Sequence, residues 1–179
     1  MSSQRDEYPR REEEEEGRGE KMMVDLAQHR NDTHENWHAL ADRFYATFQQ
    51  TRKIDDLDWA IKHIRKAAEM YPPKDPRRLM SLTRLATLCY ERHEISQDIR
   101  DLNQSLEKAS CVKRRAAEDD PILSDAFLIL SKGFHVYYNQ YHDRKDLESA
   151  IDHGLRAVSL YPNHHPNRAE AYAVLSTAL

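Results

Sequence analysis

The feature that most constrains the fold of this chain is a repeat of 45 residues. A leucine recurs at this spacing, and bulky, small and further apolar residues recur at fixed offsets around it. The four sets are Leu40, Leu85, Leu130 and Leu175; Trp37, Leu82, Phe127 and Tyr172; Ala41, Ala86, Ser131 and Ser176; and Phe44, Cys89, Phe134 and Leu179. Offsets of three, four and seven residues place side chains on one face of an α-helix. Each repeat is therefore predicted to begin with an amphipathic helix, called helix A.

A second amphipathic pattern follows helix A in each of the first three repeats. Its apolar and small positions are Leu57, Leu102 and Leu147; Ala60, Ser105 and Ala150; Ile61, Leu106 and Ile151; and Ala67, Val112 and Ala157. Their spacing is again helical and predicts a helix B. Directly before the leucines stand Asp56, Asp101 and Asp146. We expect each aspartate to cap exposed amides or to complement the positive end of the helix dipole.

The junctions between repeats carry helix-start signals. Asp75-Pro76, Asp120-Pro121 and His165-Pro166 recur at the same spacing, and proline at the first helical position loses no hydrogen bond. The predicted A helices cover about 33–50, 77–93, 122–140 and 167 onward, and the predicted B helices cover about 56–71, 100–116 and 146–161. With only four glycines in the chain, the predicted fold class is all-α.

The residues within one repeat resemble the tetratricopeptide family. In the first repeat Trp37, Leu40, Ala41 and Phe44 match its helix A, and Ala60, Ile64, Ala67 and Pro72 match its helix B and the following proline. The third repeat matches through Phe127, Leu130, Ser131, Phe134, Ala150, Gly154, Ala157 and Pro162, whereas the second departs at Cys89, Ala109 and Ala117. HEAT and armadillo repeats have a similar period of about 40–47 residues, but the tetratricopeptide unit of about 34 residues fits these positions once it is lengthened.

This resemblance implies an α-solenoid of antiparallel helix hairpins with about three and a half repeats. The units would cover about 33–76, 77–121 and 122–166, with a partial unit at 167–179. The long repeat is also similar to the tandem repeats of large fungal proteins that carry NACHT or CHAT domains. The implied function is that of a non-catalytic scaffold that binds a peptide or partner helix, and the fungal similarity implies that it is a fragment of a larger fungal signalling protein.

In the family the A helices line the concave face, where partners bind. The residues predicted to face this groove are His38, Asp42, Tyr45, Thr83, Thr87, Tyr90, Lys132 and His135. The row of tyrosines and histidine is the favoured contact, because such side chains combine area with a polar tip. The alternative is that these residues pack between adjacent A helices.

Two other functions compete with the scaffold. The first is a structural module that associates with a second copy through the open C-terminal edge, where the fourth helix A has no helix B. The second is a metal-dependent helical enzyme built on Asp55-Asp56-Leu57-Asp58 and Glu118-Asp119-Asp120. Because these acidic residues recur where helices need caps, we favour capping and predict no catalytic residue, metal or cofactor.

The histidines and cysteines are also expected to be non-catalytic. His34 and His38 lie one helical turn apart, but a zinc site needs three or four converging ligands. The ten histidines are therefore predicted to lie at the surface or in the groove. Cys89 shares its register with Phe44 and is predicted to be a small core residue. A nucleophilic cysteine would need a base and an oxyanion site that the sequence does not mark.

Charge is concentrated at the N-terminus. Residues 1–20 hold eight acidic residues and four arginines, which equals the net −4 of the whole chain. This segment is predicted to be a disordered acidic tail, and 21–32 a short capping helix or linker before the repeat domain at 33–179. The balanced remainder argues against nucleic acid and membrane partners. With two cysteines and no signal peptide, the predicted location is cytoplasmic, or else nuclear.

Overall fold

A computed structural model of the chain describes residues 33–178, and these form seven α-helices without a β-strand. The helices are α1 (His34–Thr51), α2 (Ile54–Met70), α3 (Pro76–Ser96), α4 (Ile99–Arg115), α5 (Ile122–Tyr141), α6 (Arg144–Leu160) and α7 (Pro166–Ala178). The predicted all-α class is confirmed. The predicted tail at 1–20, the predicted helix or linker at 21–32 and Leu179 lie outside the described residues.

The first six helices form three hairpins, and each helix also packs against the next one along the chain. Within a hairpin, only two residues connect the helices. In addition α3 packs against α5, and α5 against α7, so these three odd-numbered helices lie side by side. No helix within 33–178 is both long enough and apolar enough to cross a lipid bilayer.

The odd-numbered helices of the three hairpins end in the same way. Arg52, Gln97 and His142 have φ angles of 56°, 56° and 57°, in the left-handed region. Their backbone N–H groups donate to the carbonyls four residues earlier, and the next helix begins within two residues. This left-handed residue closes the helix and reverses the chain.

The even-numbered helices begin one to two residues before their predicted starts at 56, 100 and 146. The true caps of α4 and α6 are Asp98 and Asp143, whose carboxylates accept from the Arg100 and Lys145 amides. The capping role predicted for Asp56, Asp101 and Asp146 is therefore wrong. These aspartates lie in the first helical turn, where the predicted interaction with the helix dipole remains available to them.

The predicted starts of α3, α5 and α7 are confirmed to within a residue. The Asp75 carboxylate accepts from the Arg77 amide at 2.9 Å, and the Asp120 carboxylate accepts from the Ile122 amide at 3.0 Å. At α7, the Asn167 amide donates to His165 Nδ1 at 3.2 Å. Each cap stands next to a proline and satisfies an amide that has no partner within its helix.

Candidate binding groove

The odd-numbered helices border a groove of about 510 Å³. Aromatic, aliphatic, amide and charged side chains from α1, α3, α5 and α7 line it, together with the residue that closes α1. The lining residues are Tyr45, Phe48, Gln49, Arg52, Glu91, Glu94, Ile95, Lys132 and Glu170.

Tyr45 joins α1 to α3 at one wall of the groove. Its hydroxyl donates to Glu91 Oε1 at 2.7 Å, and the Arg84 guanidinium lies 4.2 Å from the centre of its ring. Arg84 also lies 3.5 Å from the carboxylate of the exposed Asp42. Burial and the Glu91 carboxylate both raise the pKa of Tyr45. Tyr45 is therefore a fixed, neutral part of the wall.

Tyr90 and Lys132 join α3, α5 and α7. The Lys132 ammonium lies 4.2 Å from the centre of the Tyr90 ring and 2.7 Å from Glu170 Oε1. Tyr90 is only 7% exposed, and burial raises its pKa. Because its ring is covered, Tyr90 supports Lys132 and presents little surface of its own to a partner.

The other predicted groove residues are not part of the groove lining. His38 Nε2 lies 2.7 Å from the Ser81 hydroxyl. The Thr83 and Thr87 hydroxyls donate to the carbonyls of Leu79 and Thr83, one turn back in α3. His135 is half-buried on α5. Of the eight predicted residues, Tyr45 and Lys132 line the groove.

Most residues of the groove were missed by the sequence prediction. Gln49 and Glu94 are both exposed, lie 45 residues apart and follow Tyr45 and Tyr90 by one helical turn. Extending the predicted rows by one turn would have included them. Glu91 carries no such signal, because its equivalents at 46 and 136 are Ala46 and Val136.

The groove carries more negative than positive charge. Three carboxylates, on Glu91, Glu94 and Glu170, face the two cations of Arg52 and Lys132. Burial raises the pKa of Glu91, although the hydrogen bond from the Tyr45 hydroxyl opposes this shift. The Arg52 guanidinium lies 5.6 Å from the centre of the Phe48 ring at the end of α1. The surface of the groove is therefore mainly polar and weakly acidic.

The acidic residues considered for a metal site have structural partners. Asp56 accepts from the Thr51 hydroxyl at 2.6 Å, Asp58 pairs with Arg92 at 2.6 Å, and Asp120 caps α5. Within residues 33–178, no three His, Cys, Asp or Glu side chains lie close enough to hold a metal ion. Asp56 and Asp120 also lie at opposite ends of their hairpins, so they do not converge.

Cys89 is fully buried, and burial raises the pKa of its thiol to about 11. At neutral pH this thiol is protonated, which is the opposite of what a nucleophile requires. The second cysteine, Cys111, is a half-buried free thiol on α4. Neither cysteine lines the groove.

Two histidines depart from the predicted surface or groove location, because His63 and His93 are 1% and 6% exposed. The ring of His63 lies among three aromatic rings, 5.3 Å from Trp37, 5.2 Å from Phe44 and 5.9 Å from Trp59 between ring centres. Neither ring nitrogen of His63 has a hydrogen-bond partner. Burial lowers the pKa of His63 to about 4, and the nearby charge of Lys62 adds to the effect. His63 is therefore a neutral core residue.

Among the described residues that line the groove, no nucleophilic side chain is paired with a base. The exposed charged and amide side chains of its lining are free to form further hydrogen bonds and ion pairs at the surface. No family model matches this sequence, and no curated protein or solved structure matches it either.

Proposed function

We propose that this chain is a non-catalytic protein-binding scaffold of the tetratricopeptide type. In this proposal the helices continue the solenoid pattern of that family, and the odd-numbered helices form the concave face. A peptide or helix of a partner protein binds in the groove. The observation that carries the proposal is the groove itself, which draws its lining from all four odd-numbered helices.

The contacts between the helices support this assignment. Tyr45 bonds to Glu91 across α1 and α3, and Lys132 bonds to Glu170 across α5 and α7. These bonds fix the walls before any partner arrives, which lowers the entropy cost of binding. Gln49 and Glu94 remain exposed and can still bond to a partner.

The proposal also covers the larger protein that contains the scaffold, its cellular location and the class of its partner. The similarity of the long repeat to those of fungal NACHT and CHAT proteins supports a place in a larger fungal signalling protein. A cytoplasmic or nuclear location suits the presence of only two cysteines. The balanced charge of the chain beyond residue 20 supports a protein partner rather than nucleic acid.

Peptide selection tests the proposed function. A random peptide library is selected on the full-length chain, and the affinity of the selected peptides is measured by fluorescence anisotropy. Glu94→Arg places a cation and a long side chain in the groove, so we expect it to weaken binding at least about tenfold. Glu69→Arg makes the same change at an exposed position on α2 and should leave affinity unaltered.

One result of the affinity measurements would contradict the proposal. Peptides that bind wild-type and Glu94→Arg chains with equal affinity would place the binding surface elsewhere. Circular dichroism of both variants checks that the fold is intact, and both positions are exposed.

A further inference from the structure

The first turn of each even-numbered helix holds an aspartate at the same position of the repeat. These aspartates are Asp56, Asp101 and Asp146. In the first hairpin the Thr51 hydroxyl donates to the Asp56 carboxylate at 2.6 Å. In the second hairpin the Ser96 hydroxyl donates to Asp101 at 3.4 Å. The residue at the position of these hydroxyls in the third hairpin is Tyr141, so its side chain leaves the backbone beside Asp146.

The second hairpin adds a cation to its aspartate. Arg92 donates to both oxygens of Asp101, at 2.9 Å from Nε and at 2.5 Å from Nη2. The residue one period after Arg92 is Tyr137, which instead donates to the Asn103 side chain of α4. The third hairpin therefore keeps the aspartate and has a tyrosine where the second has the arginine.

The Asp146 carboxylate is left without a donor. It is half-buried, and no side chain within residues 33–178 forms a hydrogen bond or ion pair with it. The rings of Tyr137 and Tyr141 lie 6.0 Å apart between centres, and Tyr141 is 59% exposed. Burial raises the pKa of Tyr137, and the nearby Tyr141 and Asp146 add to this shift. We call these three neighbouring residues the tyrosine–aspartate site.

Elsewhere the chain twice places its own cation between a tyrosine ring and a carboxylate. The two cations lie 4.2 Å from the ring centres and 3.5 Å and 2.7 Å from the carboxylate oxygens. The two sets are Arg84, Tyr45 and Asp42, and Lys132, Tyr90 and Glu170. The negative face of the ring and the carboxylate attract the same cation. In the tyrosine–aspartate site the rings and the carboxylate are present, and the described part of the chain supplies no cation to them.

We propose that the tyrosine–aspartate site binds the guanidinium group of an arginine in a peptide. The guanidinium donates to the Asp146 carboxylate and lies over the ring of Tyr141. A guanidinium fits better than an ammonium, because its paired donors match the two oxygens of a carboxylate, as Arg92 does with Asp101.

The exposure of the site favours a peptide as the source of this group. With Tyr141 largely exposed, the site is open to solvent and can hold the end of a side chain, whereas sites for free small molecules enclose most of the ligand. None of the three residues lines the groove, so this proposal does not rest on the proposed function.

The probe is a tripeptide with blocked ends that carries arginine between two glycines. It is titrated into the isotope-labelled full-length chain, and the shifts of the backbone amide signals are followed by NMR. Two matched peptides carry lysine or the uncharged citrulline in place of arginine. Free arginine is titrated separately, because it represents a small-molecule source of the same group.

Four chain variants accompany the wild type. Asp146→Asn removes the charge of the site, and Tyr141→Leu removes the exposed ring. Tyr137→Arg supplies a guanidinium from within the chain, as in the second hairpin. Asp55→Asn is the control, because Asp55 is an exposed aspartate in the first turn of α2. Circular dichroism checks that each variant is folded.

We expect the arginine peptide to shift the amide signals around Tyr141 and Asp146 saturably, and the citrulline peptide to leave them unchanged. The affinity should be millimolar, because one side chain makes few contacts. Asp146→Asn should weaken binding at least about fivefold and Tyr141→Leu about threefold, and Tyr137→Arg should abolish it. Asp55→Asn and the groove variant Glu94→Arg should bind as the wild type does.

Several results would overturn the proposal. One is the lack of a saturable shift at these amides, and another is full affinity in the Asp146→Asn or Tyr141→Leu chain. Equal binding of the arginine and lysine peptides would contradict the choice of a guanidinium. Tighter binding of free arginine than of the blocked peptide would contradict a peptide as its source.

Discussion

Ser105 and Ser131 make equivalent hydrogen bonds from opposite sides of their hairpins. Ser105 lies on the even-numbered α4 and donates to Ala86 on α3, whereas Ser131 lies on the odd-numbered α5 and donates to Ala150 on α6. The two pairs are offset by 45 residues, so serine and alanine have exchanged places at one crossing point. Either arrangement places one buried hydroxyl between two closely packed helices.

Exchanging the serine within the second hairpin tests this equivalence. Ser105→Ala should lower the free energy of unfolding by about 1 kcal/mol, because the hydrogen bond is lost from a buried site. Adding Ala86→Ser restores a hydroxyl on the opposite helix, as in the third hairpin, and should recover most of the loss. Urea denaturation of the single and double variants measures both effects. If the two substitutions destabilise additively, the crossings are not equivalent.

Arg92 links three helices, and its two carboxylate partners predict unequal effects. Arg92 on α3 pairs with Asp58 of α2 at 2.6 Å and with the buried Asp101 of α4 at 2.5 Å. Arg92→Met should destabilise the fold by about 3 kcal/mol, because it leaves the Asp101 carboxylate buried without its cation. Asp58→Asn should cost below about 1 kcal/mol, since Asp58 is half exposed. Equal losses in denaturation midpoint would contradict this order.

His63 predicts a loss of stability in mild acid. Its folded-state pKa of about 4 lies below the unfolded value of 6.5, so the unfolded chain binds more protons between these pH values. As the pH falls from 6.5 toward 4, this group should therefore lower the free energy of unfolding by up to about 1.4 kcal/mol per pH unit. Chemical denaturation across this range should show a shallower slope for His63→Leu than for wild type. The exposed His164→Gln variant serves as the control and should retain the wild-type slope.

Gly154 provides the space in which α7 docks on α6. A Cβ atom at this position would lie 2.7 Å from Leu175 Cδ2 and 2.9 Å from the Ser131 hydroxyl. Gly154→Ala should therefore increase hydrogen exchange of the α7 amides, with a destabilisation of about 1–3 kcal/mol from overpacking. Shortening the opposing side chain with Leu175→Ala should relieve part of the clash in the double variant. If the losses of stability from Gly154→Ala and Leu175→Ala simply add in the double variant, the contact between these two residues is not the cause of the destabilisation.

The sequence predicted the helices well because the three- and four-residue spacing of apolar side chains is a local signal. Their ends were harder to predict. Arg52, Gln97 and His142 adopt left-handed φ angles, yet none is the glycine or asparagine that usually marks such a position. The even-numbered helices were placed late because their starts were inferred from the repeated Asp-Leu step, whereas Ile54 and Ile99 already belong to the first turns of α2 and α4.

The groove was only partly predictable, because register shows which residues share a face and does not show how closely helices approach. Of the eight residues that register places on one face, Tyr45 and Lys132 line the groove. Tyr90 was expected to offer contact area as well, but Lys132 from the next odd-numbered helix lies over its ring. Glu91 and Glu170 line the groove because they bond to side chains of neighbouring helices. The repeat pattern carries no signal for such contacts.

The side-by-side arrangement of the odd-numbered helices has a mechanical consequence. The main contacts of each helix are with helices one or two places away in the chain. In such an array each end can open while the other remains folded, because stability is a sum of local terms. A ligand seated across α1, α3, α5 and α7 would touch every hairpin at once. Such a ligand would couple the stability of the hairpins, so that the two ends of the array would unfold together.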